Sequence, residues 1–222
     1  MYTAKSCDLF QLPRTSLRRY VSTPCNSLTS PLPITEWVLW EHAGGAKKDT
    51  NSWKDSMKEI CSFSTIEDFW RYFNHLPRVS QVFYDGDTKK RVGPNNKAIE
   101  EYSLFKRGIE PEWGDPKNKP GGEWFWRSHL EGDILDLFWM NLVLGVIGET
   151  LEDPVLGSFV NGARVVDKGR NYPIFKIELW IGTQDVAIRE KIRTKLVDVL
   201  THGLPPSKVA KHSPKFEWKD HS

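Results

Sequence analysis

The sequence predicts an α+β domain in which antiparallel strands form a sheet and three helices are segregated to one of its faces. Three observations carry this prediction. Short runs rich in aromatic and β-branched residues alternate with period two, three longer segments repeat apolar residues at three- and four-residue intervals, and the two kinds alternate irregularly along the chain. The sequence contains no internal repeat, no coiled-coil heptad run and neither of the glycine-rich phosphate-loop patterns.

Residues 1–33 precede the domain. Ser, Thr and Pro are frequent there, Lys5, Arg14, Arg18 and Arg19 supply the charge, and Asp8 is the only acid. Such a composition cannot bury enough apolar surface to order itself, and it reads as a disordered tail. An organelle transit peptide has a similar composition but needs an amphipathic period that this stretch lacks.

From Ile34 the pattern changes, and Glu36-Trp37-Val38-Leu39-Trp40-Glu41-His42 reads as a strand. A polar loop through Gly44 and Gly45 follows, carrying Trp53 among Asn51, Ser52, Lys54 and Asp55. Ser64 stands three residues before Glu67 with capping-box spacing, and Ile66, Phe69, Trp70 and Phe73 recur at helical intervals, so a helix is predicted over 65–75. The stretch 84–96 is a long polar loop. Its Asp85-Gly86-Asp87 start lacks the later oxygen ligands of a calcium loop and reads as a solvated turn. Strands are predicted over 102–106 and 123–129, separated by a loop over 108–118 that contains Trp113. Leu135, Leu137, Phe138, Trp139, Leu142, Val143, Val146 and Ile147 form the apolar stripe of a helix over 132–150. Strands over 155–166 and 174–181 are joined by the charged turn 167–171. After Thr183, a candidate N-cap, Val186, Ile188, Ile192, Leu196, Val199 and Leu200 define the third helix, which His202-Gly203 and Pro205-Pro206 end.

With 222 residues, 39% of them hydrophobic, the chain is long enough to bury a proper core. The longest apolar run, over 135–147, is interrupted by Trp139, Asn141 and Gly145, and falls short of the roughly 20 apolar residues a membrane span needs. A net charge of +2 is too small for a protein that coats a nucleic-acid duplex, so any nucleic acid bound is touched over a small part. Cys7, Cys25 and Cys61 form no CxxC pair and the six histidines no metal-binding motif, so neither a metal nor a cofactor is expected.

Ten tryptophans exceed what packing one domain ordinarily asks for. Trp53 and Trp113 both lie in polar loops flanked by charge, where two rings can enclose a flat ligand. If that ligand is cationic, each face adds roughly 0.5–2 kcal/mol of cation–π attraction. Arg164, Lys168, Arg170 and Lys176 form a basic strand-turn-strand suited to phosphates, although a charge run is more commonly a solvated face. A flat cationic base with a phosphate chain describes the 7-methylguanosine triphosphate cap of messenger RNA.

The chain resembles the cap-binding proteins of the eukaryotic translation initiation factor 4E family. The resemblance runs through Trp37-Val38-Leu39-Trp40, Thr65-Ile66-Glu67-Asp68-Phe69-Trp70, Tyr102-Ser103-Leu104-Phe105-Lys106, Gly108-Ile109-Glu110-Pro111, Trp113, Asn118-Lys119 and Gly121-Gly122. It continues through Phe138-Trp139, Ile147-Gly148-Glu149, Val160-Asn161, Lys176-Ile177-Glu178-Leu179-Trp180 and Gly203-Leu204-Pro205-Pro206, covering about residues 34–206. It implies a curved antiparallel sheet backed by three long helices on its convex face, a cap-binding domain over 34–206 and a tail over 207–222.

It also implies a monomeric cytoplasmic protein, with no membrane association and no enzymatic activity, that binds the mRNA 5' cap. Its partners would be the scaffold factor 4G and 4E-binding repressors, held through a Tyr-x-x-x-x-Leu-apolar motif. Carried over by position, Trp53 and Trp113 sandwich the base, Trp180 lies against its methyl group and Lys176 contacts phosphate. Arg164 is the candidate phosphate-binding arginine, with Ala163 as the alternative equivalent. Ile66, Trp70, Met140 and Leu144 are the expected partner-binding shelf. The chain departs from the family pattern where Gly114 replaces the glutamate that accepts hydrogen bonds from the guanine edge. Asp115 is the candidate replacement, against the plainer reading of a loop cap. Glu123 stands where a basic residue is usual, and Asn141 replaces a glutamate on the partner side. The rival within the family is a homologue weak in cap binding that acts as an interaction module or repressor. An enzyme acting on the cap finds no nucleophile–base pair here.

Overall fold

The computed structural model describes residues 31–44, 56–86, 88–90, 97–152, 157–169 and 172–222; the tail expected over 1–33 lies almost wholly outside them, as does Trp53. Strand β1 (Pro33–Ala43) pairs with β2 (Met57–Thr65), which leads directly into helix α1 (Ile66–Phe73). A short helix α2 (Val79–Phe83) and a small hairpin of β3 (Tyr84–Asp85) and β4 (Thr88–Lys89) precede β5 (Ile99–Lys106) and β6 (Gly122–Ser128). Helix α3 (Gly132–Ile147), strands β7 (Val160–Asp167) and β8 (Phe175–Ile181), helix α4 (Val186–Leu200), helix α5 (Pro206–His212) and strand β9 (Glu217–Asp220) complete the order. Seven strands form one antiparallel sheet in the order β2-β1-β5-β7-β8-β6-β9.

One face of that sheet and the three longer helices share the core. Leu39, Tyr102, Leu104, Ala163, Val165, Ile177, Leu179 and Trp124 meet Phe69, Leu135, Phe138, Leu142, Ile192, Leu196 and Leu200 there, all buried. Removing each such large side chain from water contributes about 1.5–3 kcal/mol, so the helical stripes and the strand alternation are satisfied by the same interface. Trp37, Trp124 and Trp139 are buried as expected of core residues, whereas Trp40 and Trp126 are half-buried.

Several local expectations are corrected. Helix α1 is capped by Thr65, whose Oγ1 accepts from the Asp68 amide at 3.1 Å, rather than by Ser64. Helix α4 is capped by Asp185, which accepts from Ile188 N at 3.0 Å, while Thr183 holds the amide of Asp185. The polar stretch expected as one loop over 84–96 contains the β3–β4 hairpin. Residues 207–222, expected as a tail, carry α5 and β9: β9 pairs with β6, opposing Trp124 with Trp218 and Glu123 with Lys219. The Trp218 indole packs edge to face on Trp124 at 5.1 Å, with the Arg189 guanidinium 4.6 Å from its centre. No described helix is long and apolar enough to cross a membrane.

Candidate functional site

Alternation along β8 sorts its side chains. Phe175, Ile177, Leu179 and Ile181 join the helix-facing core, so Lys176, Glu178 and Trp180 face the other way. Cross-strand partners extend this second face. Gly162 and Arg164 of β7 oppose Trp180 and Glu178, Glu123 of β6 opposes Trp180, and Ser103 and Phe105 of β5 oppose Arg164 and Gly162. Ala163 joins the helix-facing core and is fully buried, whereas Arg164 lies on the face of Glu178.

The Trp180 indole is closed to solvent. Phe105 meets it edge to face at 5.3 Å, the Arg164 guanidinium lies 5.1 Å from its centre, and its Nε1 donates to Glu178 at 2.9 Å. Gly162 permits this packing, because a Cβ there would collide with the Phe105 ring and the Leu104 carbonyl.

An ion-pair network crosses the same face. Arg164 Nε donates to Glu101 at 2.8 Å, its Nη2 contacts the other Glu101 oxygen, and its Nη1 lies 3.2 Å from Glu178. Lys176 Nζ lies 2.6 Å from Glu123 and 2.6 Å from Glu178. Burial pushes the Glu101 carboxyl up, but the Arg164 charge and hydrogen bonds outweigh it and hold that carboxyl below its ordinary range. Burial likewise opposes ionisation of Glu123, and hydrogen bonds from His221 and Lys176 reverse the sign. Glu101, Glu123 and Glu178 against Arg164 and Lys176 leave one negative charge in excess. Arg164 and Lys176, the expected phosphate contacts, are thus each held by glutamates on the same face. Lys168 is exposed beyond the end of β7 and is coupled electrostatically to Glu178, Arg164 and Lys176.

The loop between β5 and β6 presents Trp113, which is 49% exposed and so open to a ligand. Its neighbour Asp115 is committed to the loop itself, accepting from the amides of Glu110 at 2.9 Å and Lys117 at 2.8 Å. Both carboxylate oxygens are thus engaged, which corrects the expectation that Asp115 reaches a base edge in favour of the loop cap. Asn118 donates to the carbonyls of Glu110 and Glu112, and Asn161 of β7 donates to Asn118 at 3.0 Å, so the loop carrying Trp113 is tied to the sheet. A Cβ added at Gly114 would meet nothing within 4 Å.

The residue after β9 completes the site. The His221 ring centre lies 4.3 Å from that of Trp180 and 6.2 Å from that of Trp113, inclined by 29° to the latter. Its Nε2 lies 3.3 Å from Glu123 and its Nδ1 3.1 Å from the Asn118 carbonyl oxygen. The Lys219 ammonium sits 3.6 Å from the centre of the Trp113 ring. Sequence reasoning missed His221, Lys219, Glu101 and Glu178. For the glutamates the period-two pattern was visible, but the partner of Glu101 comes from a strand far off in sequence, and Glu178 shares its cations with Glu101 and Glu123 of other strands.

On the helix side, Trp70 is 37% exposed on α1, beside Phe69 and Phe73 at 4.8 and 6.2 Å. Ile66, Met140 and Leu144 are half-buried, so each expected member of the partner shelf keeps some surface. Asn141, by contrast, is buried and donates to the carbonyls of Leu200 at 3.0 Å and His202 at 2.9 Å. It ties α3 to the end of α4 and does not belong to that surface. Among the described residues no group of His, Cys, Asp and Glu is arranged to hold a metal ion.

Residues 34–222 match the family model described as Eukaryotic initiation factor 4E. Eukaryotic translation initiation factor 4E-2 of Schizosaccharomyces pombe is 36% identical over 168 residues, 74% of this chain and 60% of that relative. Eukaryotic translation initiation factor 4E of Bos taurus is 34% identical over 203 residues, 88% of this chain and 80% of the relative. Among solved structures, Ascaris suum eIF4E-3 in complex with the m2,2,7G cap superposes with a TM-score of 0.66 at 27% identity, over 87% of this chain and 93% of that one. Caenorhabditis elegans eIF4E-3, in complex with the 4E-binding protein Mextli and cap analog, superposes with a TM-score of 0.65 at 25% identity, over 86% and 94%.

Proposed function

This chain belongs to the eukaryotic initiation factor 4E family, and from that premise we propose that it is a non-catalytic binder of the mRNA 5' cap that recruits a protein partner in translation initiation. The observation that carries the reading for this chain is the composition of the site face. Two tryptophans, the exposed Trp113 and the buried Trp180, both lie against the His221 ring, with the Glu123 carboxylate beside it. A 7-methylguanine ring is flat and positively charged, and it gains there from both indoles and from the carboxylate. Unmethylated guanine lacks the charge and loses most of that gain. Trp53 is the proposed second face of the sandwich, and Trp180 the ring nearest the methyl group.

The triphosphate meets Lys168 as its exposed cation. Arg164 and Lys176 reach the phosphates only by exchanging contacts with the glutamates that hold them. The Trp70 surface, with Ile66, Met140 and Leu144, takes an amphipathic partner helix of the Tyr-x-x-x-x-Leu-apolar kind, as an exposed aromatic on a helix is suited to do. We place the protein in the cytoplasm, where capped transcripts meet the initiation machinery.

Retention on immobilised 7-methyl-GTP, with elution by free 7-methyl-GTP and not by GTP, tests the reading. A protein that flows through sinks it. Gly114 and the neutralised Arg164–Lys176 pair favour one second reading, a family member of low cap affinity that works mainly through the Trp70 surface.

A further inference from the structure

We propose that residues 217–222 act as an intramolecular ligand of the cap site, with the His221 ring occupying the place of the cationic base, so that cap binding requires its displacement. The proposal rests on the cap-binding reading above. Its physical content is that His221 reproduces the chemistry of that ligand group by group. It is a flat ring set against Trp180 at 4.3 Å and roughly parallel to Trp113 at 6.2 Å. One nitrogen faces the Glu123 carboxylate at 3.3 Å and the other the Asn118 carbonyl at 3.1 Å. Both neighbours are acceptors for a ring N–H. The side chain of His221 is fully enclosed and covers the Glu123 carboxylate that the edge of a stacked base would have to reach.

The anchoring of the segment is separate from the ring it delivers. Trp218 packs on Trp124 and under Arg189, its Nε1 donates to Asp220 at 2.6 Å, and β9 keeps its register with β6 through Gly122 and Asp220. Swinging His221 out breaks its own contacts and the bond from its amide to the Gly121 carbonyl at 3.1 Å, while the Trp218 anchor stays seated. Lys219 lies over the outer part of the site, its ammonium 3.6 Å from the Trp113 ring centre. The site is thereby held closed by a tethered group of low intrinsic affinity, and the apparent affinity for cap is reduced by the fraction of molecules in which the ring is seated.

The test compares wild type with His221→Ala by 7-methyl-GTP titration and follows the His221 ring protons by NMR, assigned by their loss in the variant. The ring protons are expected far upfield in the free protein, moving to ordinary positions as 7-methyl-GTP saturates the site. His221→Ala is expected to bind 7-methyl-GTP about fivefold tighter, the effect of deleting one net hydrogen-bonded competitor. A thermal melt within a few degrees of wild type shows that the variant is folded. Ring protons without an upfield shift overturn the proposal, as does a shift that persists at saturation. Equal or weaker binding by the variant overturns it too, weaker binding making His221 a wall of the site. Binding by neither protein, with the upfield shift present, refutes the cap-binding reading and the competition with it.

Discussion

Gly114→Glu restores the side chain that the family pattern has after the second sandwich tryptophan, and it should raise affinity for 7-methyl-GTP. Gly114 is exposed, its backbone is not left-handed, and an added Cβ meets nothing within 4 Å, so the substitution costs the fold little. The new carboxylate can accept from guanine N1 and N2. Hydrogen bonds to a charged acceptor are worth about 1.5–3 kcal/mol each when buried. At an exposed position solvent takes most of this, and repulsion from Glu112 and Asp115 in the same loop takes more, leaving roughly 1–2 kcal/mol in total. That is about a 5- to 30-fold tighter Kd. Isothermal titration with 7-methyl-GTP and with 7-methylinosine triphosphate, which lacks the N2 amino group, separates the edge contact from a general electrostatic effect. The gain should be clearly smaller for the inosine ligand. No gain, or the same gain for both, refutes the reasoning.

Replacing Arg164 by Met takes the ion-pair partner from the buried Glu101 and leaves Glu178 with Lys176 alone, and should destabilise the protein by about 3–5 kcal/mol; a loss below about 1 kcal/mol in urea denaturation contradicts the network. Glu101 has its folded-state carboxyl held below the ordinary range, so its stabilisation is present above the ordinary carboxylate pKa of about 4.3 and is lost as pH falls through the folded value. Denaturation series from pH 7 to pH 3 should show this acid loss, and Glu101→Gln should flatten it. Trp70→Ala removes a 37% exposed indole, should leave 7-methyl-GTP affinity unchanged and should weaken a Tyr-x-x-x-x-Leu peptide by at least about 30-fold in a polarisation assay. A coupled loss of cap affinity contradicts the separation of the two surfaces.

The helices were legible because their periods are long and amphipathic, and α3 buries the predicted Leu135, Phe138, Trp139, Leu142, Val143, Val146 and Ile147. Their caps were off by one or two residues because neighbouring hydroxyls and carboxylates compete for the same amides, as Thr183 and Asp185 do. Strand β2 went unread: among the described residues it pairs only with β1, and it shows mixed burial rather than a clean alternation. Strand β9 is four residues long, and Trp218 acquires its meaning only from Trp124 across the ladder. Trp113 stood out as a tryptophan in a polar loop. What no single stretch could reveal was pairing: which acid meets Arg164 and Lys176 depends on the register of β5, β6, β7 and β8, and the same register brings His221 to Glu123.

The central claim is that Trp113 and Trp180 border a site for a flat cationic base, and intrinsic tryptophan fluorescence reads that site directly. Titration with 7-methyl-GTP should quench the wild-type emission saturably, GTP should quench it far less, and Trp113→Ala should abolish the methyl-selective response while the protein remains folded. Equal quenching by the two nucleotides, or an undiminished response in Trp113→Ala, would contradict the account.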